Sequence, residues 1–235
     1  MKLEIQLGQT QPFAELDDVQ IAEVTALAHQ RRYEHGEFVV LNGEAWPFLA
    51  LVQEGSFRAL KESAEGRTLV VLAIDPGDVF WGLTFFDEQS LMPVSLECAK
   101  SGVLATWSRD DLRPFLIANG DLLWSLCGLL IRRMKRASSI VESLAFQPVA
   151  GRIANLLLER YGSTGEDPVA RDLTLDTMAA FVGTTPEMVC RVLSRFSDQK
   201  LIHITRTEFS ITDQEGLAAL AGPNPKEQPV KHDYG

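Results

Sequence analysis

The chain has 235 residues, of which 46% are hydrophobic and 23% charged, and its formal net charge is −10. This composition is typical of a globular protein and excludes a wholly disordered or collagen-like chain. No apolar run approaches the roughly 18 uncharged residues of a membrane span, and no secretory signal is evident. The three cysteines, Cys98, Cys127 and Cys190, form no CxxC pair, which argues against a disulfide framework or a local metal site. We expect a cytoplasmic protein without metal, cofactor or membrane contact.

The negative charge is unevenly distributed along the chain. Residues 1–127 carry a net charge of −10, residues 128–210 carry +2, and residues 211–235 carry −2. An acidic N-terminal half thus precedes a mildly basic segment. Because local charge governs DNA binding more than the total does, the total does not exclude a nucleic-acid partner.

The first half of the chain reads as an antiparallel β-structure. Short apolar runs predict strands at residues 38–40, 48–52, 69–72 and 102–105, and Gly-containing pairs between them predict turns. Among these turns is Glu54-Gly55. The stretch Ser56–Lys61 alternates polar and apolar residues and predicts a hairpin strand with one face in water. Strands at this spacing indicate a barrel or sandwich.

A long helix should follow Pro114, over residues 115–146, where no further proline occurs. Its stripe has the alternating spacing of three and four residues of a heptad repeat, which we interpret as the seam of a parallel dimer. The alternative is a helix that packs only on its own barrel. The stripe consists of Leu123, Leu126, Leu130, Arg133, Ala137, Ile140 and Leu144. A further helix over about 149–161 and a polar loop, Gly162–Pro168, come next.

Residues 173–204 carry the most specific signal for function. Thr174 can cap a helix over 175–182, Gly183 can supply a tight turn, and Thr185 can cap a second helix that begins with Pro186. Helix, glycine turn and helix form a helix-turn-helix, whose second helix fits the major groove of DNA.

The second helix presents a polar face with residues suited to reading bases. Glu187 can accept a hydrogen bond from cytosine N4, and Arg191, four residues on, can donate two to guanine. A surface ion pair between them is the alternative interpretation. The apolar runs 201–204 and 209–211 flank Thr205–Glu208 and predict a hairpin wing whose Arg206 contacts phosphate. The expected DNA-contacting residues are Thr184, Thr185, Glu187, Arg191, Ser194, Arg195 and Arg206.

Several stretches together resemble the CRP/FNR family of bacterial transcription regulators. They include Gly55–Arg58, Pro76–Phe80, Gly151–Leu157 and, most specifically, Val182–Leu193. The resemblance covers residues 12–215. It implies an α+β fold with an N-terminal antiparallel β-roll of the cyclic-nucleotide-binding type over 1–113, a dimerisation helix over 114–146 and a C-terminal winged helix-turn-helix over 147–220. The Pro-rich tail, 221–235, is expected to be disordered.

The resemblance also implies a role for individual residues. It assigns Glu187 and Arg191 to the reading of a TGA-type half-site core in a palindrome bound by a homodimer. Many members have Arg or Ser where this chain has Pro186, which leaves the outer half-site preference open. RNA polymerase is a further candidate partner.

The sensor half departs from the members that bind cyclic nucleotides. Where they carry Gly-Glu-Leu and Arg-Ser to hold ribose and cyclic phosphate, this chain has Trp81-Gly82-Leu83 and Met92-Pro93. Gly82 cannot accept a hydrogen bond from a ribose hydroxyl and Met92 cannot pair with a phosphate, so we expect no response to cyclic AMP. The iron–sulfur branch is excluded as well, because no cysteine precedes Cys98.

Apolar residues surround the segment from Trp81 to Pro93, which we call the cassette. They suggest either a pocket for an apolar effector or a barrel filled by its own side chains. These residues are Trp81, Leu83, Phe85, Phe86, Met92 and Trp124. Haem is a further alternative, for which His29 and His35 are the sensor-half histidines. Cys190, beside Arg191, is a candidate for oxidation. A cupin-type metalloenzyme is a remote alternative, because the four histidines are dispersed; we expect a regulator and no enzyme.

Overall fold

The computed structural model describes residues 2–162 and 168–221. Most of the predicted loop 162–168 and nearly all of the predicted tail therefore lie outside the described residues. The chain divides into two compact units, residues 1–61 with 70–135 and residues 62–69 with the chain from Arg136 onward. The division falls inside the long helix, so that helix is not a body of its own.

The first unit is built on a six-stranded sheet. Its strands are β1 (His29–Tyr33), β2 (Phe38–Val40), β3 (Phe48–Glu62), β4 (Thr68–Ile74), β5 (Val79–Trp81) and β6 (Ser95–Ser108). β6 pairs antiparallel with β1, β2 and β3, and β3 pairs antiparallel with β5. The four predicted strands are confirmed. β1 and β5 escaped prediction because β1 is polar and mostly exposed and β5 has only three residues.

The predicted turn at Glu54-Gly55 is wrong, because β3 continues through it. The register between β3 and β6 shifts here, so the glycine marks a bulge inside a long strand. Gly55 has a φ of +77°, and a β-carbon on it would lie 2.6 Å from the α-carbon of Gly102. The bulge thus needs glycine both for its left-handed backbone and for the close approach of β6.

Two short helices, α1 (Leu3–Leu7) and α2 (Asp18–Ala26), pack on the β-roll. Asp17 and Gln20 form a capping box at the start of α2. The indole of the fully buried Trp107 donates from Nε1 to the carbonyl of Val24 at 2.7 Å, which fixes the end of α2 on β6. Trp107 also belongs to the main core of this unit, with residues of α1, β3 and the following helices.

The long helical region is two helices rather than one. α3 (Arg109–Ala118) begins before Pro114, because Ser108 caps it by accepting from the backbone N–H of Asp111. Asn119 ends it, and α4 (Gly120–Phe146) leaves at 113° to α3. Among the described residues no single helix is long and apolar enough to cross a membrane; α3 and α4 pass that test only as a pair, across this bend.

The second unit contains the C-terminal domain. Its elements are α5 (Val149–Tyr161), β7 (Val169–Ala170), α6 (Leu175–Val182), α7 (Pro186–Asp198), β8 (Ile202–Ile204), β9 (Glu208–Ile211) and α8 (Gln214–Ala221). The wing is a three-stranded sheet in the order β7-β9-β8, one strand more than predicted. α8 was not predicted either. Ala221, placed in the tail by the sequence, ends α8 and is buried.

Candidate nucleic-acid interface

The helix-turn-helix forms as its capping residues predict. The Thr174 hydroxyl accepts from the N–H of Thr177 at 3.1 Å and starts α6. Gly183 ends α6 in the left-handed conformation, with φ +64° and ψ +51°. Its missing side chain also makes room, since a β-carbon there would lie 2.8 Å from a methyl carbon of Leu144. The turn is therefore specific for glycine on two counts.

α7 has one buried face and one exposed face. Thr185 caps it by accepting from the N–H of Met188 at 3.4 Å, and Pro186 occupies the first helical position. Its buried face joins the core of the second unit, and that face consists of Val189, Val192, Leu193 and Phe196. Its exposed face carries the side chains that the sequence assigned to DNA, and that face consists of Glu187, Arg191, Ser194 and Arg195. Thr184 and Thr185 are only half-buried.

Glu187 is held ionised at the start of α7. Its own backbone N–H and the hydroxyl of Thr185 both lower the pKa of its carboxyl group. An ionised carboxylate accepts hydrogen bonds and donates none, which is the requirement for reading a cytosine amino group. Thr185 is thereby engaged as a cap and as a partner of Glu187.

The wing tip is a tight turn that exposes Arg206. The N–H of Thr205 donates to the carbonyl of Glu208 at 2.9 Å, and the Thr205 hydroxyl accepts from the N–H of Glu208 at 3.0 Å. β8 and β9 pair antiparallel on either side, with Ile204 opposite Phe209. The predicted hairpin is confirmed, and its single arginine projects into solvent.

A groove of about 500 Å³ runs between α7 and the wing. Ten residues line it, and two of them, Ser194 and Arg206, are residues that the sequence assigned to DNA. The lining includes Arg171, Cys190, Ser194, Ser197, Asp198 and Arg206. Arg171 was missed because it precedes the helix-turn-helix motif in sequence. Strand β7, which brings it to the wing, has only two residues and leaves almost no sequence signal.

Two polar clusters fix the helix-turn-helix on α5. Arg152 donates from Nε to the carbonyl of Val182 at 2.8 Å and from Nη1 to that of Gln147 at 2.6 Å. The Tyr161 hydroxyl donates to Asp172 at 2.6 Å, and Arg160 pairs with the same carboxylate. Burial first, and then the bond to Asp172, raise the pKa of Tyr161 to about 12. These contacts hold the C-terminal end of α6 and the segment that precedes α6 against α5.

The predicted stripe of α4 is exposed only in part, and the apolar row one residue along is exposed more. Leu123 is 37% exposed, Leu130 39% and Leu144 37%. Of the predicted members, Leu126 is only 1% exposed inside the β-roll core, and Arg133 donates to the carbonyl of Val79 and lies 5.1 Å over the ring of Trp81. The exposed positions with the same heptad spacing are Trp124, Cys127, Ile131, Met134, Ser138, Val141 and Ala145. Trp124 is 81% exposed, Met134 68% and Val141 66%.

The structure brings the rings of Phe85 and Phe86 to within 4.9 Å of each other but places other members of the predicted effector set apart from them. Phe85 and Met92 are buried, but they belong to different core clusters. Leu83, Phe86 and Trp124 are exposed. Trp81 is half-buried, with its ring 6.0 Å from that of Phe86 and under the guanidinium of Arg133.

The segment before β3 fills the space beside the cassette. The ring of Trp46 is buried and stacks on that of Phe80 with ring centres 5.4 Å apart. The backbone N–H of Trp46 donates to the Thr84 hydroxyl at 3.3 Å. A β-carbon on Gly82 would overlap the carbonyl oxygen of Trp46. Backbone bonds between Met92 and the segment 43–44 close the other side. Of the two interpretations, this arrangement favours a barrel filled by its own side chains.

The two histidines of the sensor half lie apart from these sites. His29 is exposed on β1, and Nδ1 of His35 lies 2.9 Å from the carbonyl oxygen of Ala99. Within the described ranges, no group of three or more His, Cys, Asp or Glu side chains is placed to hold a metal ion. Cys98 is buried, and Cys127 and Cys190 are exposed.

Comparison with known proteins matches both units. Residues 30–119 match the cyclic nucleotide-binding domain family, and residues 151–220 match the Crp-like helix-turn-helix domain family. The CRP-like cAMP-activated global transcriptional regulator of Mycobacterium tuberculosis is 27% identical over 206 residues, which are 86% of this chain and 92% of that protein. The cAMP-activated global transcriptional regulator CRP of Haemophilus influenzae is 29% identical over 179 residues, which are 74% and 80% of the two chains.

Solved structures share the fold. A transcriptional regulator of the CRP/FNR family from Eubacterium rectale superposes with a TM-score of 0.72 at 20% identity, covering 90% of this chain and 97% of that one. The c-di-GMP responsive global regulator CLP of Xanthomonas campestris gives 0.70 at 22% identity, covering 83% and 99%. The chain belongs to the CRP/FNR family of transcription regulators. By this membership it is a DNA-binding transcription regulator, and its relatives and its fold are those of regulators rather than of enzymes.

Proposed function

We propose that this regulator acts in the cytoplasm as a homodimer that binds a palindromic promoter site with TGA-type half-site cores. The observation that carries the proposal is the exposed face of α7, where Glu187 and Arg191 lie one helical turn apart beside the wing. An ionised carboxylate and a guanidinium at this spacing suit adjacent cytosine and guanine edges in the major groove. RNA polymerase is a further partner in this proposal.

The homodimer is supported by the apolar face of α4. Trp124, Ile131, Met134 and Val141 are each more than half exposed in the single chain. Large apolar side chains repeated along one helix face at heptad spacing are typical of a coiled-coil seam. A parallel pairing through this seam would present two α7 helices to half-sites about one helical turn of DNA apart.

The regulator in this proposal does not respond to cyclic AMP, although relatives in Mycobacterium and Haemophilus are named as cAMP-activated. The carboxylate and the guanidinium that the family uses for this ligand are replaced by Gly82 and Met92. Trp46 lies against Gly82, which leaves no room for a side chain there. This packing favours control by abundance or by a protein partner over control by a ligand in the β-roll.

Selection of binding sites from a random duplex pool tests the proposal. Effector-free protein at about 100 mM salt should enrich a palindrome with TGA-type half-sites, because base contacts and not charge alone decide the selection. The same selection with Arg191→Ala should lose the guanine preference, whereas Arg113→Ala, an exposed arginine of α3, should not change the motif. A folded dimer that enriches no sequence without an effector would contradict a ligand-independent regulator.

A further inference from the structure

Arg171 stands at the groove between α7 and the wing, across from Arg206. Both arginines line the same groove of about 500 Å³, together with Ser194 of the exposed α7 face. Arg206 is exposed and Arg171 half-buried. Because Ser194 belongs to both, the groove adjoins the exposed face of α7 that carries Glu187 and Arg191.

The backbone of Arg171 is fixed by the wing itself. Its N–H donates to the carbonyl of Thr207 at 2.8 Å, which continues the pairing of β7 with β9. Its Nε lies 3.3 Å from the carbonyl of Leu173. Within the described part of the chain, no carboxylate lies within ion-pair distance of Arg171 or Arg206, while the neighbouring Asp172 is bound by Arg160 and Tyr161. The terminal nitrogens of Arg171 are thus available to a ligand.

The chemistry of the lining selects an anion. Two guanidinium groups and the hydroxyls of Ser194 and Ser197 face the groove, and Asp198 is the single carboxylate among its lining residues. A guanidinium binds phosphate oxygens with two parallel hydrogen bonds, and serine hydroxyls are common phosphate donors. Because α7 forms one wall of the groove, the anion that fits is the phosphate backbone of the same DNA duplex that α7 enters.

We propose that Arg171 is a further DNA-contacting residue that, with Arg206, holds one phosphate strand against the wing and positions α7 in the groove. The inference rests on the proposed DNA binding and adds a residue outside the helix-turn-helix motif. A contact to phosphate carries no sequence information, so Arg171 contributes affinity and register rather than base preference.

The test compares the salt dependence of binding for wild type and Arg171→Gln on a specific and a scrambled duplex. Loss of one phosphate contact per protomer should reduce the slope of log K against log salt by about 0.9, hence about 1.8 for a bound dimer. Between 50 and 200 mM salt, a slope change of about 1.8 makes the variant's loss of affinity roughly 12-fold smaller than that of wild type. Affinity at low salt should fall by the same factor on both duplexes.

Controls separate this role from folding and from the proposed function. Arg171→Lys should recover most of the salt slope, and Arg113→Gln, on α3, should keep all of it. An unchanged slope for Arg171→Gln with an unchanged melting temperature would overturn the inference alone. A loss confined to the specific duplex would make Arg171 a base reader and overturn it too.

If wild type binds neither duplex, the proposed function itself fails. If Arg171→Gln melts at a lower temperature, Arg171→Ala and Arg171→Lys decide: equal slopes in these two variants would refute the phosphate contact.

Discussion

Trp46 lies directly on Gly82, with Cε3 of its ring 3.0 Å from where a β-carbon would be. The same hypothetical carbon overlaps the Trp46 carbonyl oxygen, so the obstacle is backbone and not a flexible side chain. The packing of this segment therefore requires glycine at position 82, the position where the sequence resemblance sets Gly82 against the glutamate of cyclic-nucleotide-binding members.

Gly82→Ala should destabilise the β-roll. The methyl group forces the segment around Trp46 away from the cassette, at a cost of about 1–3 kcal/mol, as for other overpacked cores. Denaturant unfolding measures this loss. Gly120→Ala is the matched control, because no atom lies within 4 Å of a β-carbon there and its change should stay within about 0.5 kcal/mol. Equal stabilities of the two variants would contradict the close packing.

Cyclic AMP should leave the melting temperature unchanged. A ligand with a dissociation constant of about 10 μM, present at about 1 mM, would stabilise the protein by roughly 2.7 kcal/mol, which a thermal melt detects easily. We expect no shift, because Gly82 and Met92 offer no group for ribose or phosphate. A clear upward shift would show that the β-roll binds the nucleotide in another way.

Arg191→Ala should weaken binding to the selected site by about 1–3 kcal/mol and relax its guanine preference. The guanidinium of Arg191 is exposed to water on α7. When DNA binds, it exchanges hydrogen bonds to water for two hydrogen bonds to the acceptors of a guanine. Fluorescence anisotropy with matched and guanine-substituted duplexes measures both effects. If affinity falls by the same factor on every duplex, Arg191 contacts phosphate instead.

The register of the α4 seam can be tested by placing a charge on it. Ile131→Asp should produce monomers in sedimentation, because residue 131 is 51% exposed in the single chain and would face a partner helix. Arg132→Asp, one position along and off the seam, should leave the dimer intact. The opposite pattern, or a dimer in both variants, would reject the seam through Trp124, Ile131 and Met134.

Tyr161 makes stability sensitive to alkaline pH. Its pKa is raised to about 12 by burial and by the bond to Asp172, so its neutral form stabilises the fold fully below pH 10, the ordinary tyrosine value. That contribution is lost as the pH rises from 10 through 12. Wild type should therefore be more stable than Tyr161→Phe at pH 8, by about 1–3 kcal/mol.

The measurement for Tyr161 is thermal unfolding of both proteins between pH 8 and pH 12. Other groups that titrate in this range affect both proteins alike, so the difference between the two isolates Tyr161. The advantage of wild type should shrink with rising pH. An advantage that stays constant would place the pKa of Tyr161 outside this range.

The sequence by itself determined the elements whose signals are local. Capping and turn residues around Thr174, Gly183 and Thr185 gave the helix-turn-helix its bounds, because each cap satisfies backbone groups within four residues. Four strands followed from apolar runs. Polar β1 and the short strands β5 and β7 are strands only because β6, β3 and β9, respectively, pair with them. The family resemblance supplied the order of the domains and the base-reading roles.

Only the tertiary structure decided which face of each element is covered. The heptad spacing of α4 sets a period and not a direction. The β-roll core takes up Leu126, and Arg133 donates to the carbonyl of Val79, so the most exposed apolar row of α4 lies one residue along from the predicted stripe. In the sequence, Gly55 indicates a turn. In the structure, the close approach of β6 makes this position a bulge inside β3. Likewise, the residues around Gly82 indicate an apolar set, but it is the packing of Trp46 against Gly82 that favours a barrel filled by its own side chains over an effector pocket. Contacts between residues far apart in sequence leave no local pattern, and these features depend on such contacts.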